Sequence, residues 1–205
     1  MKLKGFSIIE VLISVAIIAL IMTAVISNFR SGEWRNQLSL AAANVASELR
    51  KAQTMVSAGQ PTQVCMVAAV MTGICEDDPA GCGGTCVEHV PYGGYGLVFV
   101  EDSETITFFA NTDATDDFDK IDEKVRDLKI SPTGRVKIAG ISTDTTGTIN
   151  QLQIIFIPPT NVIKFGGPDV FGSPNEATIT ISHLSSGEKR EIVINKISGR
   201  IDAEP

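Results

Sequence analysis

The sequence predicts an α+β fold, with one long N-terminal helix packed on an antiparallel β-sheet domain. Three observations predict it. Residues 6–29 form a 24-residue run in which Glu10 is the only charge. From Trp34 onward apolar residues recur at helical spacing, and after Pro61 the period changes from about 3.6 to 2. The 205 residues, 43% of them hydrophobic and 20% charged, suffice to bury a core and exclude a chain disordered by composition. A net charge of −7 argues against a protein built to neutralise phosphates, and only two histidines, His89 and His183, thin the options for His-dependent chemistry.

As a helix, residues 6–29 are about 36 Å long at ~1.5 Å per residue, enough to cross a ~30 Å hydrocarbon core with some tilt. Lys2 and Lys4 stand before the run, so the short flank is expected on the cytoplasmic side and the rest of the chain outside, although Arg30 and Arg35 weaken that asymmetry. A secretory signal would have an h-region of roughly 7–15 residues and a small-x-small cleavage site. Here the run is longer and Ser27-Asn28-Phe29-Arg30 is a poor site. A plain membrane anchor accounts for everything except Glu10. A carboxylate at bilayer depth costs roughly 2.5–3.5 kcal/mol on insertion scales, and Ser7, Ser14 and Thr23 bring no charge to offset it.

Gly5-Phe6-Ser7-Ile8-Ile9-Glu10-Val11-Leu12, behind a short basic leader, resembles the signal of type IV pilins and type II secretion pseudopilins. The resemblance implies a prepilin peptidase that cuts between Gly5 and Phe6 and methylates the new amine of Phe6. It also implies that this amine meets the Glu10 carboxylate of a neighbouring subunit, setting register during assembly. Opposite charges ~4 Å apart gain up to about 4 kcal/mol at an effective dielectric of ~20, before desolvation. A pair within one chain, one helical turn apart, is the alternative.

The helix is expected to continue past the membrane. Trp34, Leu38, Ala42, Val45, Leu49, Ala52 and Val56 form one stripe, with Gly59 and Pro61 as the stop and Gly32 as a loosening point. Strands are predicted at Gln63–Val70, Gly96–Val100, Thr105–Ala110, Asp127–Ile130, Arg135–Ala139, Gln151–Ile157, Ala177–His183 and Arg190–Asn195. Turns fall at Pro132-Thr133-Gly134, Ser185-Ser186-Gly187 and Ile197-Ser198-Gly199. The expected organisation is a leader over 1–5, an assembly helix over 6–29, its amphipathic continuation over 30–60 and an exported β-rich domain over 61–205. The closing residues, Arg190-Glu-Ile-Val-Ile-Asn195 through Gly199-Arg200-Ile201, resemble the GspH/FimT minor pilins.

Cys65, Cys75, Cys82 and Cys86 lie within 22 residues, and an even cluster in an exported domain points to two disulfides with three pairings open. Zinc on Cys82, Cys86 and His89 is the sharper reading, but the spacing departs from paired C-x2-C sites. Residues 76–123 carry 13 acids and one base, Lys120. Within them Asp113, Asp116, Asp117 and Asp119 are weak calcium candidates that lack the EF-hand spacing and glycine, and a solvated acidic loop is the blander reading. This acidic middle argues against direct nucleic-acid binding unless Lys164, Lys189, Arg190, Lys196 and Arg200 form a local basic patch. Tyr92-Gly93-Gly94-Tyr95-Gly96 reads as a turn into a strand rather than a sugar- or partner-binding loop. No G-x-S-x-G elbow, H-E-x-x-H or phosphate loop occurs, so catalysis is not expected, and no cofactor is.

The sequence therefore reads as a minor pilin or pseudopilin, with other pilins, prepilin peptidase and, before assembly, the inner membrane as its partners. The alternatives are a filament-tip adhesin or substrate-binding module, and a simple single-pass anchored domain.

Overall fold

Helix α1 runs unbroken from Ile8 to Ser57. A computed structural model of the chain describes residues 7–75, 82–112, 124–159 and 162–203, leaving out the side chains at 24 and 26–31. The chain divides into two compact units, Met1–Asn36 and Gln37–Pro205, so the boundary falls inside α1. Gly32 does not interrupt the helix.

In the C-terminal unit the predicted stripe is the buried one: Leu38, Ala42, Val45, Leu49, Ala52 and Val56 are all at most 3% exposed. Ala41 and Ala46 widen it, and small side chains let a helix approach a sheet closely. Trp34, the first member of the predicted stripe, belongs to the N-terminal unit. Termination follows a Schellman motif. Gly59 takes φ +57°, its N–H donates to the Val56 carbonyl at 3.0 Å, and the Gln60 N–H donates to the Met55 carbonyl at 2.9 Å.

Thirteen strands follow among the described residues: β1 Thr62–Val67, β2 Val70–Ile74, β3 Thr85–His89, β4 Gly94–Val100, β5 Thr105–Asn111, β6 Lys124–Lys129, β7 Val136–Thr143, β8 Gly147–Ile149, β9 Gln151–Ile157, β10 Val162–Gly166, β11 Glu176–His183, β12 Lys189–Asn195 and β13 Ile201–Ala203. They form a three-stranded sheet, β2-β1-β3, and two five-stranded sheets, β10-β9-β4-β5-β6 and β13-β12-β11-β7-β8. Every pairing is antiparallel. The main core joins the buried helix face to residues of both five-stranded sheets, among them Tyr95, Leu97, Phe99, Phe108, Ile154, Ile179, Ile181 and Ile192. Val98, Phe109 and Ile155 make a smaller cluster of their own.

Charged groups of α1 are tied to the β domain. Arg126 donates to Glu48 at 3.1 Å and lies 5.4 Å from the Phe108 ring centroid, while Arg50 donates to the Ile201 carbonyl at 2.8 Å. On β6, a hydrogen bond from Lys124, with a smaller one from Thr107, holds the Asp127 carboxyl below its ordinary range against desolvation.

The strand predicted over Gln63–Val70 is corrected to a hairpin. The chain reverses at Ala68 and Ala69, both left-handed at φ 49° and 65°, so β2 returns against β1 with Val67 opposite Val70. A two-residue reversal of this kind ordinarily uses Asn-Gly, and two alanines give no such signal. Left-handed geometry costs an ordinary residue roughly 1–2 kcal/mol. The double substitution Ala68→Asn with Ala69→Gly is thus expected to stabilise the protein by about 1–2 kcal/mol, read as a higher midpoint in denaturant unfolding.

Candidate functional site

The N-terminal unit begins with a capped helix. Ser7 precedes α1, its Oγ accepts from the Ile9 N–H at 3.4 Å, and its carbonyl accepts from the Glu10 N–H at 3.0 Å. Ser7 is therefore the N-cap, its hydroxyl bonding the second helical residue, and Glu10 is the third, the Ser-x-x-Glu spacing of a capping box. Glu10 is the acidic residue of the first turn, where the helix dipole favours negative charge. The cap was not among the features expected from the sequence, although Ser-x-x-Glu ahead of an apolar run is its signal.

Gly5 and Phe6 lie outside the described residues. Along the first turns of α1, Ile8, Leu12, Ile17, Leu20 and Met22 are all more than half exposed. So apolar a surface asks for lipid or other helices to cover it. Among the described residues no helix is long and apolar enough to be assigned a membrane crossing.

These features of the first turn fall inside a stretch that matches a known family model. Residues 1–26 match the prokaryotic N-terminal methylation motif. It is the motif of type IV pilin-like precursors processed by prepilin peptidase, and here it ends inside α1. No curated protein and no solved structure matches the chain.

The cysteines are joined as Cys65–Cys82 and Cys75–Cys86, with Cα–Cα distances of 5.6 and 6.0 Å. Cys65 sits on β1 directly across from Cys86 on β3, yet each bonds a different partner. One bridge ties the central strand β1 to Cys82 ahead of β3, and the other ties the end of β2 to β3, an exposed strand that buries little apolar surface of its own. The Sγ atoms of Cys65, Cys75 and Cys82 lie within 4.8 Å of one another. All four sulfurs are committed to disulfides. His89 meets the Val90 carbonyl through Nδ1 at 2.7 Å and the Tyr92 ring edge-on at 5.4 Å. The calcium candidates Asp113, Asp116, Asp117 and Asp119 fall outside the described residues.

The glycine-rich segment is a turn leading into β4. The Gly94 N–H donates to the Pro91 carbonyl at 3.2 Å, and Tyr95 is buried, donating its hydroxyl to the Gln60 carbonyl at 2.8 Å. His183 is 1% exposed and shapes the turn after β11. Its Nδ1 accepts from the Ser185 and Ser186 N–H groups, each at 3.3 Å, and its Nε2 faces Gln37 Oε1.

Proposed function

We propose that the protein is a minor pilin or type II secretion pseudopilin, a structural and non-catalytic subunit. Prepilin peptidase would remove residues 1–5 and methylate Phe6, and residues 6–29 would hold the subunit in the inner membrane, with the β domain exported, until assembly. The observation that carries this reading is the methylation motif at residues 1–26, leading into a helix whose described first turns expose apolar side chains and whose second half forms the core of a β domain. A GspH/FimT-like member is favoured by the closing strands β12 and β13, which follow the sequence pattern that suggested it.

Glu10 carries the assembly role. Its carboxylate would pair with the methylated amine of an adjacent subunit, and the paired charges would cross the bilayer edge at lower cost than either alone. Glu10→Ala is expected to leave cleavage and methylation intact while reducing incorporation into filaments at least tenfold, measured by immunoblotting of sheared filament fractions. Normal incorporation of that variant would contradict the intersubunit pairing. A membrane-anchored domain with no filament role would be indifferent to the substitution and would keep Met1.

A further inference from the structure

The four cysteines stand closer together than two separate bridges require. The Sγ atoms of Cys65, Cys75 and Cys82 lie within 4.8 Å of one another, although Cys75 belongs to one disulfide and the other two to the second. The fourth sulfur, of Cys86, is bonded to Cys75, and Cys86 pairs with Cys65 in the β1–β3 ladder, which puts both side chains on one face of the small sheet. A tetrahedral zinc site has Zn–S bonds of about 2.3 Å and so sulfurs about 3.8 Å apart. Opened to thiolates, these sulfurs would need to move only about 1 Å to reach that spacing.

The scaffold that holds the cysteines is independent of the S–S bonds. Cys65 is on the central strand β1, paired with Gly73 of β2 and Cys86 of β3. The Cys75 N–H donates to the Gln63 carbonyl at 2.9 Å, and the Thr72 hydroxyl to the Cys65 carbonyl at 3.3 Å. Cys82 precedes β3, and two residues later the backbone runs hard against β1, where a Cβ on Gly84 would lie 2.0 Å from the Met66 carbonyl oxygen. Cys65 and Cys75 are buried, and a buried thiolate needs a cation beside it. His89 is not brought to this cluster. It pairs with Thr62, and three residues along β3 place it ~10 Å from Cys86 and on the opposite face of the sheet. The set of Cys82, Cys86 and His89 therefore gives way to the four cysteines.

We infer that the chain, while its cysteines are still reduced, binds one zinc ion through Cys65, Cys75, Cys82 and Cys86, and that forming the two disulfides releases it. Zinc fits a closed set of four thiolates because it is soft enough for sulfur and takes a tetrahedral site without redox chemistry of its own. Binding replaces the proton of each thiol with a bond to the metal. On oxidation two S–S bonds form, and four electrons pass from the sulfurs to two molecules of a disulfide oxidant. Each oxidant takes up two protons and leaves as a dithiol, and zinc is set free. While bound, the metal holds the small sheet in the bridges' place and keeps the thiolates from mispairing. This inference stands apart from filament membership.

The test is titration of the full-length protein in detergent, reduced with a dithiol that is then removed under nitrogen, first with Co²⁺ and then with Zn²⁺. The expected result is one Co²⁺ per reduced chain, with the intense visible absorption of tetrahedral thiolate coordination, displaced by Zn²⁺ and absent from the oxidised protein. Zn²⁺ should also shield all four cysteines from alkylation, read by peptide mass, a measurement that needs no variant to fold. Cys82→Ser and Cys86→Ser should each weaken Co²⁺ binding at least tenfold, and His89→Ala should leave it unchanged. No Co²⁺ uptake by the reduced chain, an octahedral spectrum, or fewer than four shielded cysteines would overturn the proposal. So would loss of binding in His89→Ala, or equal affinity for the chain unfolded in urea, which marks thiols that chelate without help from the fold.

Discussion

Gly94→Ala is expected to lower the stability of the protein by about 3 kcal/mol or more, a fall in Tm of roughly 6 °C or more for a chain of this size. Two effects add. Gly94 has φ +88°, in the region that L side chains rarely adopt, and a Cβ there would lie 1.9 Å from the Phe156 carbonyl oxygen. Because β4 is the middle strand of its sheet, paired to β9 through Tyr95–Phe156 and to β5 through Gly94–Asn111, neither neighbour can withdraw without breaking ladder bonds. Gly59→Ala is the control, since Gly59 has φ +57° but nothing within 4 Å of the added carbon. It should cost only the backbone strain, roughly 1–2 kcal/mol. Thermal melts that place the two variants together would show that close packing at β4 has been misjudged.

Leu49→Ala should destabilise by about 3–5 kcal/mol, the cost of lost burial plus the cavity left behind. Leu49 is 0% exposed in the middle of the helix face that closes the main core. Leu40, on the same helix and 61% exposed, provides the comparison, with Leu40→Ala expected within about 0.5 kcal/mol of the unsubstituted protein. Urea unfolding of both variants separates a helix that forms the core from one that merely lies beside it. Similar midpoints for the two would contradict the burial pattern.

Much of the fold was legible because its signals were periodic. The stripe from Leu38 to Val56 is the buried face, β9 spans the predicted Gln151–Ile157, and β4, β5, β11 and β12 fall within two residues of expectation at each end. β6 begins earlier than expected, at Lys124, and β7 runs on to Thr143. The strands β3, β8, β10 and β13 were not read. β8 and β13 have three residues each, too few to show a period, and β3 is exposed along most of its length. β10 is an edge strand behind Pro158-Pro159, where the composition says turn. The β1–β2 hairpin escaped because its reversal rests on two alanines in a conformation that sequence assigns to glycine or asparagine.

The candidate site divides in the same way. Gly5, Phe6 and Glu10 are read from a leader, a junction and a charge at fixed spacing, and their roles belong to the proposal. Ser7 as N-cap was readable in principle from Ser-x-x-Glu. The disulfide pairing was not, because Cys65 faces Cys86 across the sheet while bonding Cys82, and no spacing rule encodes that choice.

Intact-mass and N-terminal analysis of the protein, expressed in cells with an active prepilin peptidase, tests the central claim most directly. The account predicts a mature chain that begins at Phe6 and carries one methyl group on its amine. A chain that keeps Met1 beside a demonstrably active peptidase would contradict it, leaving a β domain on an unprocessed helix.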